Sequence, residues 1–307
     1  MIPVRERDVK GGENPVIAKS ALLWNTHVWC RELEQEFEKI LSLESPGSME
    51  VWLVLDAKIP GAGDIARKYE RCLVIDPDEL FRRLPYTPIE GFGILHHSHF
   101  PVLDFFLSHR DYDYYWFVEF DVRYSGDWGS FFEIFRPFTH DFIASHIRGY
   151  DEEPLWHWWG TLRHPVKTIG QGNCLRSFNV IFRISNRGLE FIDREQRDGW
   201  QGFNEVSLPT LLHNGGYRIM DFGGDGEFTP AGLQNKTYTS HGLRNGLLSP
   251  FCTMSWRPSR DKSGRQKNKL YHSVKPRQMM EPIIRKLEYL YIWLMSFVHF
   301  NVLQRTD

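Results

Sequence analysis

Cysteine is scarce in this chain of 307 residues, and its four copies stand far apart. None forms a CxxC pair or has a histidine at zinc-finger spacing, so neither a zinc module nor a disulfide framework is predicted. Four reduced thiols in a reducing compartment are expected instead. The charged N-terminal residues contain no apolar stretch, which predicts the absence of a signal peptide and a cytoplasmic location.

An excess of either charge is also missing. The 37 Lys and Arg residues nearly balance the 39 Asp and Glu residues, so the chain lacks the basic surplus typical of nucleic-acid-binding proteins. Hydrophobic residues, at 41%, are too frequent for a disordered chain. The 11 Trp, 12 Tyr and 22 Phe residues suit flat ligands such as sugars and nucleobases as well as a core. The composition predicts a globular enzyme or binding protein without a nucleic-acid partner.

A hydrophobic run of membrane-spanning length is not found near the C-terminus either. Residues 289–303 are 15 positions without Asp, Glu, Lys or Arg. A helix rises about 1.5 Å per residue, so this stretch is too short for a hydrocarbon core of about 30 Å. Residues 281–307 are therefore predicted to form a C-terminal helical segment. It either docks on the body of the protein or lies on a membrane surface as a peripheral contact.

The first third of the chain alternates strand-like and helix-like patterns. Apolar runs of strand length lie at residues 20–26, 50–56, 71–76 and 114–122. Segments with helical patterns follow at residues 31–43, 64–70, 77–84 and, before the last run, 101–109. This order predicts an α/β fold with a mainly parallel sheet flanked by helices. In the more irregular second half, residues 178–184 are predicted to form a strand and residues 204–214 a helix.

Polar residues stand at the ends of the four predicted strands. They are Asn25, Asp56, Asp76 and Asp121. Ligands of parallel α/β sheets bind at the carboxyl ends of the strands, which makes these residues candidates for a binding site. Aspartate is also common as a helix N-cap, so a structural role is an equal alternative for each.

The triplet Glu119-Phe120-Asp121 carries the most chemistry. Alternation along a strand places Glu119 and Asp121 on the same side. Two neighbouring carboxylates at the end of a buried strand repel each other unless a cation joins them. Carboxylate oxygens suit Mg²⁺ or Mn²⁺, ions that complete their shells with water and substrate phosphates. The triplet therefore predicts a divalent metal site.

This triplet resembles the D-x-D motif of nucleotide-sugar glycosyltransferases with the GT-A fold, with Glu in place of the first Asp. The longer stretch YDYYWFVEFDVRYSGDW, residues 112–128, is similar to a little-characterised family of glycosyltransferases from fungi and bacteria. The resemblance implies a GT-A-like, Rossmann-like fold that binds Mn²⁺ or Mg²⁺. It also implies transfer of a sugar from a nucleoside diphosphate sugar to a hydroxyl acceptor, in glycan or polysaccharide synthesis. Glu119 then contacts the metal directly, contacts it through water, or binds the ribose.

The same resemblance implies roles for residues further along the chain. His272 is expected to be the third protein ligand of the ion, and Lys275 to contact the diphosphate. Glu205, early in the predicted helix 204–214, is expected to be the base that deprotonates the acceptor of an inverting enzyme. Each of the three also has a structural alternative: a surface His, a surface Lys, and a Glu that complements the positive end of a helix. Retention of stereochemistry would remove the role of Glu205.

The remaining expectations concern the donor, the acceptor and the domain boundaries. Asn25 and Asp56 are expected to bind the nucleotide sugar, and Trp158 and Asp225 to contact the acceptor. A single catalytic domain is expected over residues 1–280. Its nucleotide-binding half covers about residues 18–125, and its elaborated acceptor half covers about residues 126–280.

Two alternatives from other classes stay open. A carbohydrate-binding protein without catalysis would use the Trp- and Tyr-rich surfaces. A metal-dependent hydrolase would use the histidine-rich positions, which are His96, His97, His99, His140 and His146. His140 and His146 are expected to lie along one strand. The oligomeric state is not encoded in any pattern we recognise.

Overall fold

A sheet of seven strands forms the centre of the protein, whose computed structural model describes residues 18–240 and 252–280. In chain order its strands are β1 (Ser20–Thr26), β2 (Met49–Asp56), β3 (Cys72–Ile75), β4 (Tyr114–Glu119), β6 (Phe142–Gly149), β7 (Leu175–Ser185) and β8 (Ile219–Asp221). A separate pair consists of β5 (Arg123–Tyr124) and β9 (Leu270–Tyr271). The strand order is β3-β2-β1-β4-β7-β6-β8, and of these seven strands β7 alone runs antiparallel to its neighbours.

Helices cover both faces of this sheet. They are α1 (Arg31–Leu41), α2 (Ala62–Ala66), α3 (Pro77–Arg83), α4 (His99–Ser108), α5 (Trp128–Phe135), α6 (Asn186–Asp198) and α7 (Asn204–Asn214). On one face α1 and α5 pack into a cluster with alternate residues of the strands, such as Leu22 and Trp24. On the other face α3, α4, α6 and α7 pack around Leu23 and its neighbours. The predicted α/β class, with a mainly parallel sheet flanked by helices, is confirmed.

Local capping explains where several helices begin. Asp76, one of the strand-end aspartates, caps α3 by accepting hydrogen bonds from the backbone N–H groups of Asp78 at 2.8 Å and Glu79 at 3.1 Å. Ser185 caps α6 by accepting from Gly188 N–H at 3.1 Å. That helix ends at Gly199, whose φ of 115° is accessible to glycine at little cost. Asp76 therefore has the structural role that the sequence left open.

The predicted strand 114–122 is longer than the strand observed. β4 ends at Glu119, opposite Asn25 of β1, and the chain then turns with a hydrogen bond from Val122 N–H to Glu119 O at 3.0 Å. Asp121 thus lies in a turn, so strand alternation is not what brings it to Glu119. Helices α5 and α6, at residues 128–135 and 186–198, were not predicted from the sequence.

The predicted C-terminal helical segment, residues 281–307, lies outside the described residues. Within residues 18–240 and 252–280, no helix has both the length and the apolar character needed to cross a membrane. The division of the domain into a donor half and an acceptor half stays a prediction.

Truncating a side chain of β4, at the centre of the sheet, should show how much this strand contributes to the stability of the fold. Phe117 is fully buried and stacks on Phe182 of β7 with ring centroids 5.1 Å apart. We expect Phe117→Ala to lower the free energy of unfolding by about 3–5 kcal/mol, because it leaves a cavity in a packed core. Val74→Ala is the control, since Val74 is 44% exposed on the edge strand β3 and should cost about 0.5 kcal/mol. Equal losses in urea titrations would contradict this account.

Candidate functional site

Two connections bring distant parts of the chain together beyond the end of β4. Phe120 N–H donates to Asn25 O at 2.9 Å and continues the pairing with β1 by one residue. Strand β5 then pairs with β9, and Val274 N–H donates to Asp121 O at 2.8 Å. Residues 270–275 therefore run alongside the turn that contains Asp121, and His272 lies next to it.

Three side chains of the types that can bind a metal ion meet at this point. Ligand atoms of Glu119, Asp121 and His272 all lie within 4.8 Å of one another. Asp121 Oδ2 accepts a hydrogen bond from Ser273 Oγ at 2.7 Å, and Lys275 Nζ lies 3.9 Å from the same oxygen. Within residues 18–240 and 252–280 this is the one group of three or more such ligands. The structure thus brings together the three residues expected at the metal and the lysine expected beside it.

The orientation of His272 fits a metal ligand. Its Nδ1 lies 2.9 Å from the carbonyl oxygen of Ser255, and a carbonyl accepts only, so Nδ1 carries a proton. Its Nε2 lies 3.3 Å from Asp121 Oδ1, a buried oxygen without an aligned hydrogen-bond donor. In the neutral imidazole two lone pairs therefore face each other, and a proton or a cation relieves the repulsion. Metal-bound histidines commonly donate their second N–H to a backbone carbonyl in this way.

Burial and neighbouring charges set the ionisation of the cluster. Burial raises the pKa of Glu119, and the charge of Asp121 raises it further. Burial alone would raise the pKa of Asp121, but the charge of protonated His272, then the charge of Lys275 and the hydrogen bond from Ser273, lower it below its ordinary value. Burial acts to lower the pKa of His272, but Asp121 outweighs this and raises it. Asp121 is therefore a firmly ionised acceptor at the centre of the group.

A cavity of about 400 Å³ opens beside the cluster. The three residues of the cluster, Glu119, Asp121 and His272, line this cavity together with Lys275. Glu205 and Trp158 also line it. A neighbouring cleft of about 240 Å³ is lined by Asn25 and Asp56 and shares Glu119 with the cavity. Eight of the nine residues expected to contact metal, donor or acceptor thus line two adjoining hollows at the carboxyl ends of β1, β2 and β4.

Glu205 stands in the first turn of α7, inside the cavity wall. The residue is only 6% exposed, and its carboxylate accepts a long hydrogen bond of 3.4 Å from the backbone N–H of Asn179. Burial raises the pKa of Glu205 to about 8, and the charge of buried Arg176 opposes the rise. A carboxyl group with such a pKa can exchange a proton near neutral pH.

Aromatic rings form another part of the cavity wall. Trp158 lies with its ring centroid 5.1 Å from that of His96 and 5.1 Å from that of Phe203, and Trp156 also lines the cavity. Trp256 at this cavity is 54% exposed. The cavity therefore has charged groups on one part of its lining and ring faces on another, which suits a polar ligand with a flat apolar face.

Asp225 is the expected site residue that lies elsewhere. It is absent from the lining of both hollows, and its carboxylate pairs with the buried Arg148 and accepts from Ser240 Oγ at 2.9 Å.

Among the histidine-rich positions, both ring nitrogens of His97 are hydrogen-bonded to the backbone. Its Nδ1 bonds to Gly93 O at 3.1 Å, and its Nε2 bonds to Ile89 N–H at 3.0 Å. Neither Asp225 nor His97 belongs to a second candidate site.

Several residues of the cavity were not predicted from the sequence. His27 lines both hollows and packs its ring edge-on against Phe120 at 4.8 Å. Its signal was its place immediately after β1, two residues beyond Asn25. Asn179 and Asn204 line the cavity beside Glu205, and Asn179 Nδ2 donates to Asn204 O at 2.9 Å. Asn179 carried no such signal, since it sits within the long strand β7.

Comparisons with known proteins add the following findings. A protein-family model described as "Protein of unknown function (DUF3405)" matches residues 78–142, about a fifth of the chain. No curated protein matches. The galactosyltransferase LgtC, solved in complex with donor and acceptor sugar analogues, is similar over 66% of this chain and 73% of its own, with 11% identity and a TM-score of 0.38.

The bifunctional glycosyltransferase WbbM, solved in its apo form, is similar over 68% of this chain and 40% of its own, with 10% identity and a TM-score of 0.38. At these values the likenesses assign no activity to the chain.

The raised pKa of Glu205 should make the free energy of unfolding depend on pH. Its pKa is raised when the chain is folded, so the stabilisation from its bound proton is complete below about pH 4.5 and is lost as the pH rises through about 8. Relative to wild type, Glu205→Gln should therefore gain up to about 1.4 kcal/mol per pH unit between pH 5 and 8. Urea titrations in EDTA measure the difference. A constant difference across this range would show that Glu205 is ionised throughout.

Proposed function

We propose that this chain is a metal-dependent glycosyltransferase of the GT-A type, which moves a sugar from a nucleoside diphosphate sugar to a hydroxyl acceptor. One arrangement carries the proposal: the ligand atoms of Glu119, Asp121 and His272 lie within 4.8 Å of one another in the wall of a cavity that also contains Glu205. A cation site and a carboxyl group of raised pKa in one cavity supply the two functions that such a transfer requires.

The donor is assigned to the two adjoining hollows. Asn25 and Asp56, in the smaller cleft, are assigned to the nucleoside part, and Glu119 belongs to both hollows. Lys275 is assigned to the diphosphate, since its ammonium group lies 3.9 Å from Asp121 Oδ2 and lines the cavity. A lysine in this place opposes the negative charge that grows on a departing diphosphate.

Glu119, Asp121 and His272 would hold Mn²⁺ or Mg²⁺. The ion would neutralise the leaving diphosphate as a Lewis acid and orient it. Two carboxylates and one imidazole suit either ion, since hard oxygen donors dominate the set. Ser255 and Ser273 would keep the ligands in place through their hydrogen bonds to His272 and Asp121.

Glu205 is assigned as the base of an inverting reaction. Its carboxylate takes the proton of the acceptor hydroxyl while the acceptor oxygen forms a bond to the anomeric carbon. The bond from that carbon to the phosphate oxygen breaks, and its electron pair leaves with the diphosphate. The burial that raises the pKa of Glu205 to about 8 makes it a stronger base than an exposed glutamate.

Trp158 is assigned to the acceptor, because its ring belongs to the aromatic part of the cavity wall and aromatic faces pack on sugar rings. Asp225 is not included, because its carboxylate is occupied by Arg148 away from the cavity lining. An acceptor that is itself a sugar is consistent with a role in glycan or polysaccharide synthesis. No observation favours the carbohydrate-binding or hydrolase alternative.

Nucleotide binding should depend on the metal and on Asp121. We expect calorimetry with a panel of nucleoside diphosphates to show binding of UDP or GDP in the presence of Mn²⁺ and little binding in EDTA. Asp121→Asn should weaken this binding by more than the roughly 10- to 100-fold typical for loss of an outer-shell partner. Asp76→Asn is the matched control, since Asp76 also follows a strand but caps α3, where Asn serves equally well. Metal-independent binding, or normal binding by Asp121→Asn, would refute the site.

Catalysis should depend on Glu205 without a comparable loss of donor binding. We expect Glu205→Gln to reduce transfer by about 10²–10⁴-fold, as for removal of a general base, and to leave the affinity for the nucleoside diphosphate with Mn²⁺ nearly unchanged. Glu190→Gln on the exposed face of α6 serves as the control. In wild type the rate should rise with pH and level off above about pH 8. Undiminished transfer by Glu205→Gln would remove its role and would leave the metal site as it stands.

A further inference from the structure

His146 occupies a strained place in the sheet. Residues 146 and 147 of β6 together oppose the single residue Ser177 of β7, which is a β-bulge. His146 has a φ of 52°, in the left-handed region that non-glycine residues rarely adopt. Bulges and strained residues concentrate where a side chain must be re-aimed, and at this position the re-aimed group is the imidazole ring.

A buried acid–phenol pair holds this conformation. His146 N–H donates to Tyr238 Oη at 2.8 Å, and the phenol donates in turn to Asp221, whose two oxygens lie 2.8 and 2.9 Å away. The next amide, Ile147 N–H, donates directly to Asp221 Oδ2 at 2.9 Å. Asp221 and Tyr238 are fully buried. Both amides of the bulge are thus paired through these two side chains.

The ring of His146 points at the chain segment that carries the partner of His272. Its Nε2 lies 2.7 Å from Met254 O and therefore donates to this carbonyl. Met254 stands between two residues that hold His272. Thr253 O accepts from His272 N–H at 3.0 Å, and Ser255 O accepts from His272 Nδ1 at 2.9 Å.

A second route joins the two histidines through packing. The ring of Phe178 lies edge-on to that of His272, with centroids 5.0 Å apart, and the ring of His146 lies 6.1 Å from that of Phe178. His146 itself does not line the cavity, whereas Phe178 and His272 do. Its effect on the site therefore passes through the residues that surround His272.

We propose that His146, held by Tyr238 and Asp221, is a positioning residue that fixes Met254 and Ser255 so that Nε2 of His272 faces Asp121. The inference rests on the proposed function, because it gives His272 the part of a metal ligand. The hydrogen bond from His146 Nε2 to the carbonyl oxygen of Met254 is the contact that the test removes.

The test compares two replacements of His146 of similar length. Gln keeps an N–H donor near the position of Nε2, and Met lacks it, while both bear the same cost of the left-handed backbone. The probe is MnCl₂ alone, titrated into the full chain and followed by the EPR signal of free Mn²⁺. We expect His146→Met to weaken Mn²⁺ binding by about tenfold or more and His146→Gln by less than about threefold. Tyr238→Phe, which removes the hydroxyl that holds the bulge, should also weaken Mn²⁺ binding. This variant tests the positioning role if His146→Met does not fold.

The outcomes separate this inference from the proposed function. Wild-type binding that is lost in Asp121→Asn but unchanged in His146→Met overturns the positioning role and leaves the metal site intact. Equal losses in the Gln and Met variants also overturn it, since the donor would then be irrelevant. No Mn²⁺ binding by wild type overturns both. Melting temperatures in EDTA are measured for every variant, because a purely structural role would lower stability without the difference in Mn²⁺ affinity between Gln and Met.

Discussion

Mutual repulsion at the end of β4 is the constraint on which the rest of the site depends. Ligand atoms of Glu119, Asp121 and His272 converge within 4.8 Å of one another, and Asp121 and His272 are buried, so the repulsion between the two carboxylates is costly. Ser273 and Lys275 offset part of this cost by contacting Asp121 Oδ2. Asp121 Oδ1 is left without an aligned donor, and a divalent cation would satisfy it together with the other two ligands.

The same cavity gives two carboxyl groups opposite properties. Asp121 is kept ionised by the cationic side chains beside it, whereas the pKa of Glu205 is raised to about 8 by burial, against the charge of Arg176. Carboxyl groups whose surroundings separate their pKa values in this way can serve as ligand and as base in one reaction. The residues that support His272, namely Ser255, His146 and Asp221, are buried and hydrogen-bonded. The position of His272 therefore does not depend on exposed loops alone.

Much of the fold was predictable, and two helices that were missed carried patterns that local spacing reveals. The strand at residues 20–26 and the helix at residues 204–214 match the structure, and the helix ends at Gly215. Helix α5 was missed although its buried residues Trp128, Phe131, Phe132 and Phe135 recur at helical spacing and Asp127 caps its first turn. Helix α6 also carried a readable pattern, with Ser185 as its cap and Leu189 and Ile192 on its buried face.

The amino-acid sequence by itself determined the α/β class and pointed to Glu119 and Asp121, because strand runs and strand-end carboxylates are local patterns. Only the tertiary structure decided that His272 meets Asp121, since the pairing of β5 with β9 joins segments about 150 positions apart. It also decided the ionisation of Glu205 and the contact of His146 with Met254. Burial and long-range hydrogen bonds arise only when the chain has packed, so no local spacing can reveal them.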